Sequence, residues 1–203
     1  MMILRSAPPS PFGRKVKIAA ALLGLSGEIN VVTTDTIDPK DPLRGDNPLG
    51  KIPTLVIEDG AVIYDSRVIL EYLDLRAGGS CIIPKGNMER IAAQTLQALA
   101  DGIMDAGILQ VYEGRWRDPD KLEQKWVDHQ AGKVGRALDY LEAQPPAIAG
   151  AIHVGHIALA CALGYLDLRF NGAWRTRYPK LVNWLDGFAA RVPAFEATRV
   201  KPA

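Results

Sequence analysis

The chain has 203 residues, of which 48% are hydrophobic and 23% are charged, and its 24 Lys and Arg nearly balance 23 Asp and Glu. A length of this order predicts one or two domains with a sizeable core. The formal net charge of only +1 argues against wholesale binding to nucleic acid or to an anionic membrane.

The N-terminus reaches Pro8 and Pro9 before an apolar region of signal-peptide length develops, and no later run has the length of a membrane span. The two cysteines, Cys81 and Cys161, are separated by a whole predicted helical region. We therefore expect no structural disulfide and a reducing compartment. The sequence predicts a cytoplasmic protein.

The first half of the chain alternates between two periodicities. Residues 2–5 and 29–33 form short β-runs, and the apolar residues between them, from Phe12 to Leu23, recur at helical spacing. Two further apolar runs, residues 53–57 and 61–64, flank Asp59-Gly60, a dipeptide that favours a tight hairpin turn. A helical pattern follows after Tyr64. The predicted order of elements in this half of the chain is β-α-β, then an irregular or helical stretch, then β-β-α.

The second half contains only helical patterns, which cover residues 87–115, 119–143, 153–170 and 178–191. The Gly-rich stretch before them is a natural linker, because the type of element changes across it. We predict an N-terminal domain over residues 1–78, a linker over 79–86 and an all-helical domain over 87–203.

Three segments carry a family resemblance. They are Ser10-Pro11-Phe12-Gly13-Arg14-Lys15-Val16, then Asn47-Pro48-Leu49-Gly50-Lys51-Ile52-Pro53-Thr54-Leu55, and then Asp65-Ser66 at the start of a helix. In this order they resemble the cytosolic glutathione transferases, and the first is closest to the Ser-Pro-Phe motif of the tau class and to omega-like members. The resemblance implies a thioredoxin-like domain (βαβαββα) followed by a helical bundle.

The resemblance also implies an activity, the conjugation of the glutathione thiolate to hydrophobic electrophilic small molecules. It further implies a homodimer. The principal alternative is a non-catalytic or stress-related protein of the same fold that binds glutathione or other ligands, because fold does not fix function.

Ser10 is the candidate catalytic residue. By local chemistry, a Ser followed by Pro is a good helix cap. Beside glutathione, the same hydroxyl would stabilise the thiolate. A free thiol has a pKa of about 8.5, and a hydrogen bond to a charged group contributes roughly 1.5–3 kcal/mol, enough to lower that pKa by about one to two units. Ser6, at the end of the first strand, is the competing hydroxyl.

The resemblance assigns the remaining glutathione contacts. It implies a cis Pro53, with the backbone of Ile52 pairing with the extended tripeptide. Ser66 would hold the α-carboxylate of the γ-glutamyl group, and Asp65 would face its α-ammonium group. Further candidates are Phe12 in the first motif, and Lys40 and Lys51, which would contact the glycyl carboxylate. Asp101 resembles an acidic residue that, in some classes of the family, reaches across the dimer interface and contacts the partner's glutathione.

The electrophile-site candidates lie on the helix that begins near residue 87. Met104, Ile108 and Tyr112 recur every four residues, a stripe that is more often core than pocket, and Trp116 follows. In the implied fold this face borders the second-substrate site.

Two histidines one helical turn apart, His153 and His156, invite a metal interpretation. His129 is the only other histidine in the sequence, and no acidic or Cys residue lies at the sequence spacing from His153 and His156 that is typical of metal ligands. We therefore expect no metal site. The related proteins usually carry Ser or Thr and Asp here, which form a capping box. The cap must therefore be made differently or be weaker.

Overall fold

The structure is a computed structural model, and it describes residues 1–200. Four strands and three helices precede residue 77, and only helices follow. The strands are β1 (Met2–Ser6), β2 (Ile29–Thr33), β3 (Thr54–Val56) and β4 (Val62–Ile63). The helices are α1 (Pro11–Leu22), α2 (Leu43–Asp46), α3 (Ser66–Arg76), α4 (Asn87–Trp116), α5 (Gln124–Ala143), α6 (Val154–Phe170), α7 (Pro179–Arg191) and α8 (Pro193–Ala197).

The sheet has the strand order β2-β1-β3-β4. Strand β1 runs parallel to β2 and antiparallel to β3, and β3 pairs antiparallel with β4. Gly60, with φ of +87°, allows the tight connection between the last two strands. The predicted architecture, a thioredoxin-like βαβαββα domain followed by a helical domain, is confirmed.

The helical half is built around α6, which packs along α4. Twelve of the 17 residues of α6 are buried. The two helices approach closely at Gly155, where a Cβ atom would lie 2.6 Å from the carbonyl oxygen of Ala93. Within residues 1–200, no helix combines the length and the apolar character needed to cross a bilayer.

The prediction of a helix over residues 119–143 was wrong at its start. Pro119–Lys121 forms a single 3₁₀ turn, and α5 begins only at Gln124. The Glu123 side chain caps α5 by accepting the N–H of Lys125, while the Glu123 N–H donates to Glu113 at 3.0 Å. Side-chain capping therefore places the boundary. Helices α2 and α8, of four and five residues, are too short to show a periodicity.

The segment between α3 and α4 is fixed by a single carboxylate. Asp74, which is buried in α3, accepts the backbone N–H groups of Ser80, Cys81 and Ile82 at 2.7–2.9 Å. The carbonyl of Ile82 in turn accepts the N–H of Val154, the first residue of α6. This segment is therefore bonded to both halves of the protein.

The two neighbouring histidines make the N-terminal cap of α6 themselves. His153 Nδ1 accepts the N–H of Gly155 at 3.2 Å, and His156 Nδ1 accepts the N–H of His153 at 3.3 Å. The rings stack with their centroids 3.5 Å apart. His156 Nε2 lies 3.1 Å from the carbonyl of Ala147, so this nitrogen carries the proton. Burial lowers the pKa of His156 to about 4.

Candidate functional site

The Ser10 hydroxyl stands at the N-terminus of α1 and is half-buried. Its Oγ accepts the N–H of Gly13 at 3.1 Å. Accepting this bond uses a lone pair and leaves the hydroxyl proton available for another acceptor. Capping the helix and donating to a thiolate are therefore compatible roles. The positive end of the helix dipole adds to the attraction for an anion.

The competing hydroxyl, Ser6, lies beneath the first turn of α1. Ser6 is only 1% exposed, and its Oγ has no hydrogen-bond partner in the described part of the chain. A Cβ atom at Gly13 would stand 2.0 Å from this oxygen, so the hydroxyl faces the helix backbone. Of the two hydroxyls, Ser10 is the one that a ligand can reach.

The Ile52-Pro53 peptide bond is cis. Asn47, which is buried, shapes this loop by donating from Nδ2 to the carbonyl of Lys51 at 3.0 Å and to Thr54 Oγ1 at 3.1 Å. Among residues 1–200, neither the N–H nor the C=O of Ile52 has a hydrogen-bond partner. This backbone is therefore available to an extended peptide that adds to the sheet edge.

Asp65 caps α3 and forms an ion pair that the sequence did not reveal. Its Oδ1 accepts the N–H of Arg67 at 2.9 Å, and its Oδ2 lies 3.0 Å from Arg67 Nη2. Burial opposes the negative charge, but the bonds and charge of Arg67 outweigh it and lower the pKa of Asp65. Ser66, the first residue of α3, is nearly buried beside this carboxylate.

A buried ammonium group is the main feature that sequence reasoning missed. Lys15, on α1, is 0% exposed, and its Nζ lies 2.7 Å from Asp101 Oδ1 on α4 and 5.6 Å from the centre of the Phe12 ring. Arg67 Nε lies 3.8 Å from the other oxygen of Asp101. Burial raises the pKa of Asp101, and Lys15 opposes that shift. This network joins α1, α3 and α4.

The structure gives Asp101 an intrachain role. Its carboxylate is almost buried against Lys15, so the contact with a partner's glutathione stays a prediction. Lys40 and Lys51 are exposed and form no ion pair within residues 1–200, and their contacts with the glycyl carboxylate likewise stay predictions. The charge of Lys51 does act on Asp105. Burial raises the pKa of Asp105, and Lys51 offsets part of that rise.

The predicted stripe on α4 divides into core and surface. Met104 is fully buried, Ile108 is half-buried, and Tyr112 and Trp116 are exposed. The stripe packs against α6 at Gly107, where a Cβ atom would lie 3.3 Å from the Tyr165 ring. The assignment of all four side chains to the electrophile site stays a prediction.

Two cavities share a wall next to Ser10. The smaller, of about 20 Å³, is lined by Ser10 and by the prolines on either side of it, Pro9 and Pro11. The larger, of about 590 Å³, lies between α6 and the C-terminal residues. Both cavities are lined by the same four residues: Arg14, Gly164, Leu168 and Val200.

Both cysteines are free thiols. Cys161 is buried in α6, and burial raises its pKa to about 11, so the thiol is protonated at neutral pH. Within residues 1–200, no three His, Cys, Asp or Glu side chains are grouped closely enough to hold a metal ion.

Comparison with known proteins agrees with this geometry. The family profile described as the glutathione S-transferase N-terminal domain matches residues 9–76, and that of the C-terminal domain matches residues 124–187. The uncharacterised GST-like protein YibF of Escherichia coli K12 is 32% identical over 186 residues, which cover 90% of this chain and 91% of that protein.

Two solved structures from Pseudomonas fluorescens Pf-5 superpose over the full length of both chains. A glutathione transferase family member with bound glutathione is 41% identical, with a TM-score of 0.91. A structure with bound S-(propanoic acid)-glutathione is 40% identical, with a TM-score of 0.88. The chain therefore belongs to the glutathione S-transferase family.

Proposed function

We propose that this protein conjugates the glutathione thiolate to electrophilic small molecules, and that Ser10 stabilises the thiolate. The observation that supports this most directly is the Ser10 hydroxyl, which accepts one N–H and keeps its proton at the positive end of α1. A hydroxyl with a free proton favours an anionic sulfur over a neutral one.

Glutathione would lie across the ends of α1, β3 and α3. Its backbone would pair with Ile52, its α-carboxylate would accept hydrogen bonds from Ser66 at the start of α3, and its α-ammonium group would face Asp65. Because Arg67 already balances the charge of Asp65, we expect this last contact to orient the cosubstrate more than to hold it.

The reaction needs no group beyond these. The thiol loses its proton to solvent, the sulfur lone pair forms the bond to the electrophilic carbon, and either a leaving group departs or an activated double bond takes up a proton. Ile108, Tyr112 and Trp116 offer an apolar surface for the electrophile. Because one relative binds S-(propanoic acid)-glutathione, electrophiles with a short carboxylate belong in the panel.

The test compares Ser10→Ala with Ser6→Ala. Removing one hydrogen bond to a charged group should lower kcat/KM with an aryl halide by about tenfold to a hundredfold, with a small effect on glutathione affinity measured by calorimetry. Ser6→Ala should leave both quantities near wild type. Equal activity in Ser10→Ala would remove this hydroxyl from the mechanism. Glutathione binding without turnover across the whole panel would favour a binding module.

We also propose a homodimer that forms through an apolar surface on α3 and α4. Val68 and Leu75 are exposed on α3, and Met88 and Ile91 are exposed on α4. An ion pair between Arg90 and Glu71 links the two helices. Contiguous exposed apolar surface is typical of interfaces.

The finer assignments belong to the same proposal. We keep the tau-like interpretation of residues 10–12 and the division into residues 1–78, 79–86 and 87–203. The two free cysteines support the cytoplasm as the proposed location.

A further inference from the structure

Arg14 is a nearly buried cation. It follows Ser10 by one turn of α1 and is only 7% exposed. Its Nη2 donates to the carbonyl of Phe195 at 2.5 Å, its Nε donates to Thr198 Oγ1 at 3.1 Å, and its guanidinium lies 4.0 Å from the centre of the Phe195 ring. No carboxylate among residues 1–200 lies within 4 Å of this guanidinium.

One end of the guanidinium is left without a hydrogen bond. Nη1 of Arg14 has no partner in residues 1–200, and it occupies space that a side chain on α6 would otherwise fill. At Gly164, a Cβ atom would lie 2.5 Å from Nη1. Glycine inside a helix lowers the stability of that helix. At position 164 the missing side chain instead leaves space for the Arg14 guanidinium.

The other charges around the larger cavity are largely compensated. Asp167 accepts two hydrogen bonds from Arg175, at 2.8 and 2.7 Å, and one from Trp174 at 2.9 Å. Arg199 pairs with Glu196 at 2.6 Å. Asp186 also lines this cavity, and its charge acts on Arg175. The carboxylates of Glu196 and Asp167 act on Arg14 only from beyond ion-pair distance, so within residues 1–200 Arg14 is the lining arginine without a direct carboxylate partner.

The position of this charge relative to Ser10 suggests its ligand. Arg14 and Gly164 line both the small cavity at Ser10 and the large one beyond it. Ser10, the N-cap of α1, and Arg14 are four positions apart, which corresponds to a rise of about 6 Å along the helix axis. A carboxylate two carbons from the sulfur of glutathione spans a distance of this order, and an arginine binds a carboxylate through parallel N–H groups.

We propose that Arg14 binds the carboxylate of the electrophilic substrate, so that the preferred electrophiles are short α,β-unsaturated acids. This inference rests on the proposed transferase function. In the reaction, the thiolate forms a bond to the β-carbon, the electrons of the double bond move to the α-carbon, and that carbon takes a proton from solvent. Nothing leaves, and nothing is oxidised or reduced.

The test measures binding of two product analogues that differ only in charge. S-(2-carboxyethyl)glutathione carries the carboxylate, and S-(2-carbamoylethyl)glutathione carries a neutral amide. Calorimetry on the full chain should show the acid binding at least about tenfold more tightly, the effect of one charge-assisted hydrogen bond. Arg14→Met should bind the two equally, and Arg14→Lys should keep part of the preference.

Two further variants separate charge from folding. Gly164→Ala keeps the charge but displaces Nη1, so it should reduce the preference for the acid. Thr198→Val removes one hydrogen bond that holds Arg14 and should keep the preference. If Arg14→Met does not fold, Gly164→Ala decides: a reduced preference supports the proposal, and an unchanged preference overturns it.

The outcomes distinguish this inference from the function on which it rests. Wild-type protein that binds neither glutathione nor either conjugate would refute the transferase proposal. Wild-type protein that binds glutathione and binds both conjugates with equal affinity would refute only the role of Arg14. A preference that survives in Arg14→Met would refute that role as well.

Discussion

Mild acid should destabilise this protein through the histidine cap of α6. Both Nδ1 atoms accept backbone N–H groups, and neither can do so once it is protonated. The pKa of His156 is lowered by burial to about 4, and burial also lowers the pKa of His153. An unfolded histidine has a pKa of about 6.5, so the unfolded chain binds more protons in the interval between the two values.

Because the folded pKa lies below the unfolded pKa, the stabilisation is complete above about pH 6.5 and is lost as the pH falls toward about 4. The full shift of His156 corresponds to about 3 kcal/mol, since one pKa unit corresponds to about 1.4 kcal/mol. Between pH 7.5 and 5.5 the loss is about 1 kcal/mol, which lowers Tm by about 2–4 °C for a chain of this length.

Thermal unfolding at pH 7.5, 6.5 and 5.5 measures this effect before most carboxylates titrate. The matched control is His153→Ser/His156→Gln, which should form a capping box that does not titrate in this range. Its Tm should stay nearly constant over an interval in which the wild-type Tm falls. Parallel curves for the two proteins would refute the assignment of acid sensitivity to the cap.

The charge network and the proposed interface give two further predictions. Lys15→Met leaves Asp101 buried without its partner and should lower the free energy of unfolding by about 3–5 kcal/mol, and Lys15→Met/Asp101→Leu should recover most of it in chemical denaturation. Wild-type stability in the single variant would contradict the buried pair. Val68→Asp should convert a dimer to a monomer in analytical ultracentrifugation, whereas Val31→Asp, on the exposed edge strand, should not. A dimeric Val68→Asp protein would place the interface elsewhere.

The sequence predicts the parts of the site that depend on local chemistry. Ser10 and Asp65 are recognisable because a capping side chain and the helix it caps are adjacent in the chain. The cis peptide bond before Pro53 was predicted from the family resemblance alone, because most X–Pro peptide bonds are trans. The order of strands and helices along the chain followed from the alternation of periodicities, and the β3-β4 hairpin followed from the Asp59-Gly60 turn.

The sequence does not predict contacts that depend on distant packing. Lys15 and Asp101 are 86 residues apart, and only the packing of α1 on α4 brings them together. Periodicity alone does not predict that Met104 is buried while Trp116 is exposed, because an apolar stripe has the same spacing whether it covers a core or lines a pocket. A lysine among the apolar residues of α1 was the available signal, since a buried charge needs a partner.

The bonds from Asp74 to the segment before α4 restrict how this protein can move and how it can be engineered. A stretch with Gly78 and Gly79 suggests a hinge by composition, yet hinge rotation would break several hydrogen bonds to one carboxylate at once. A chimera that joins this N-terminal half to the helical half of a relative would have to transfer Asp74 together with residues 80–82.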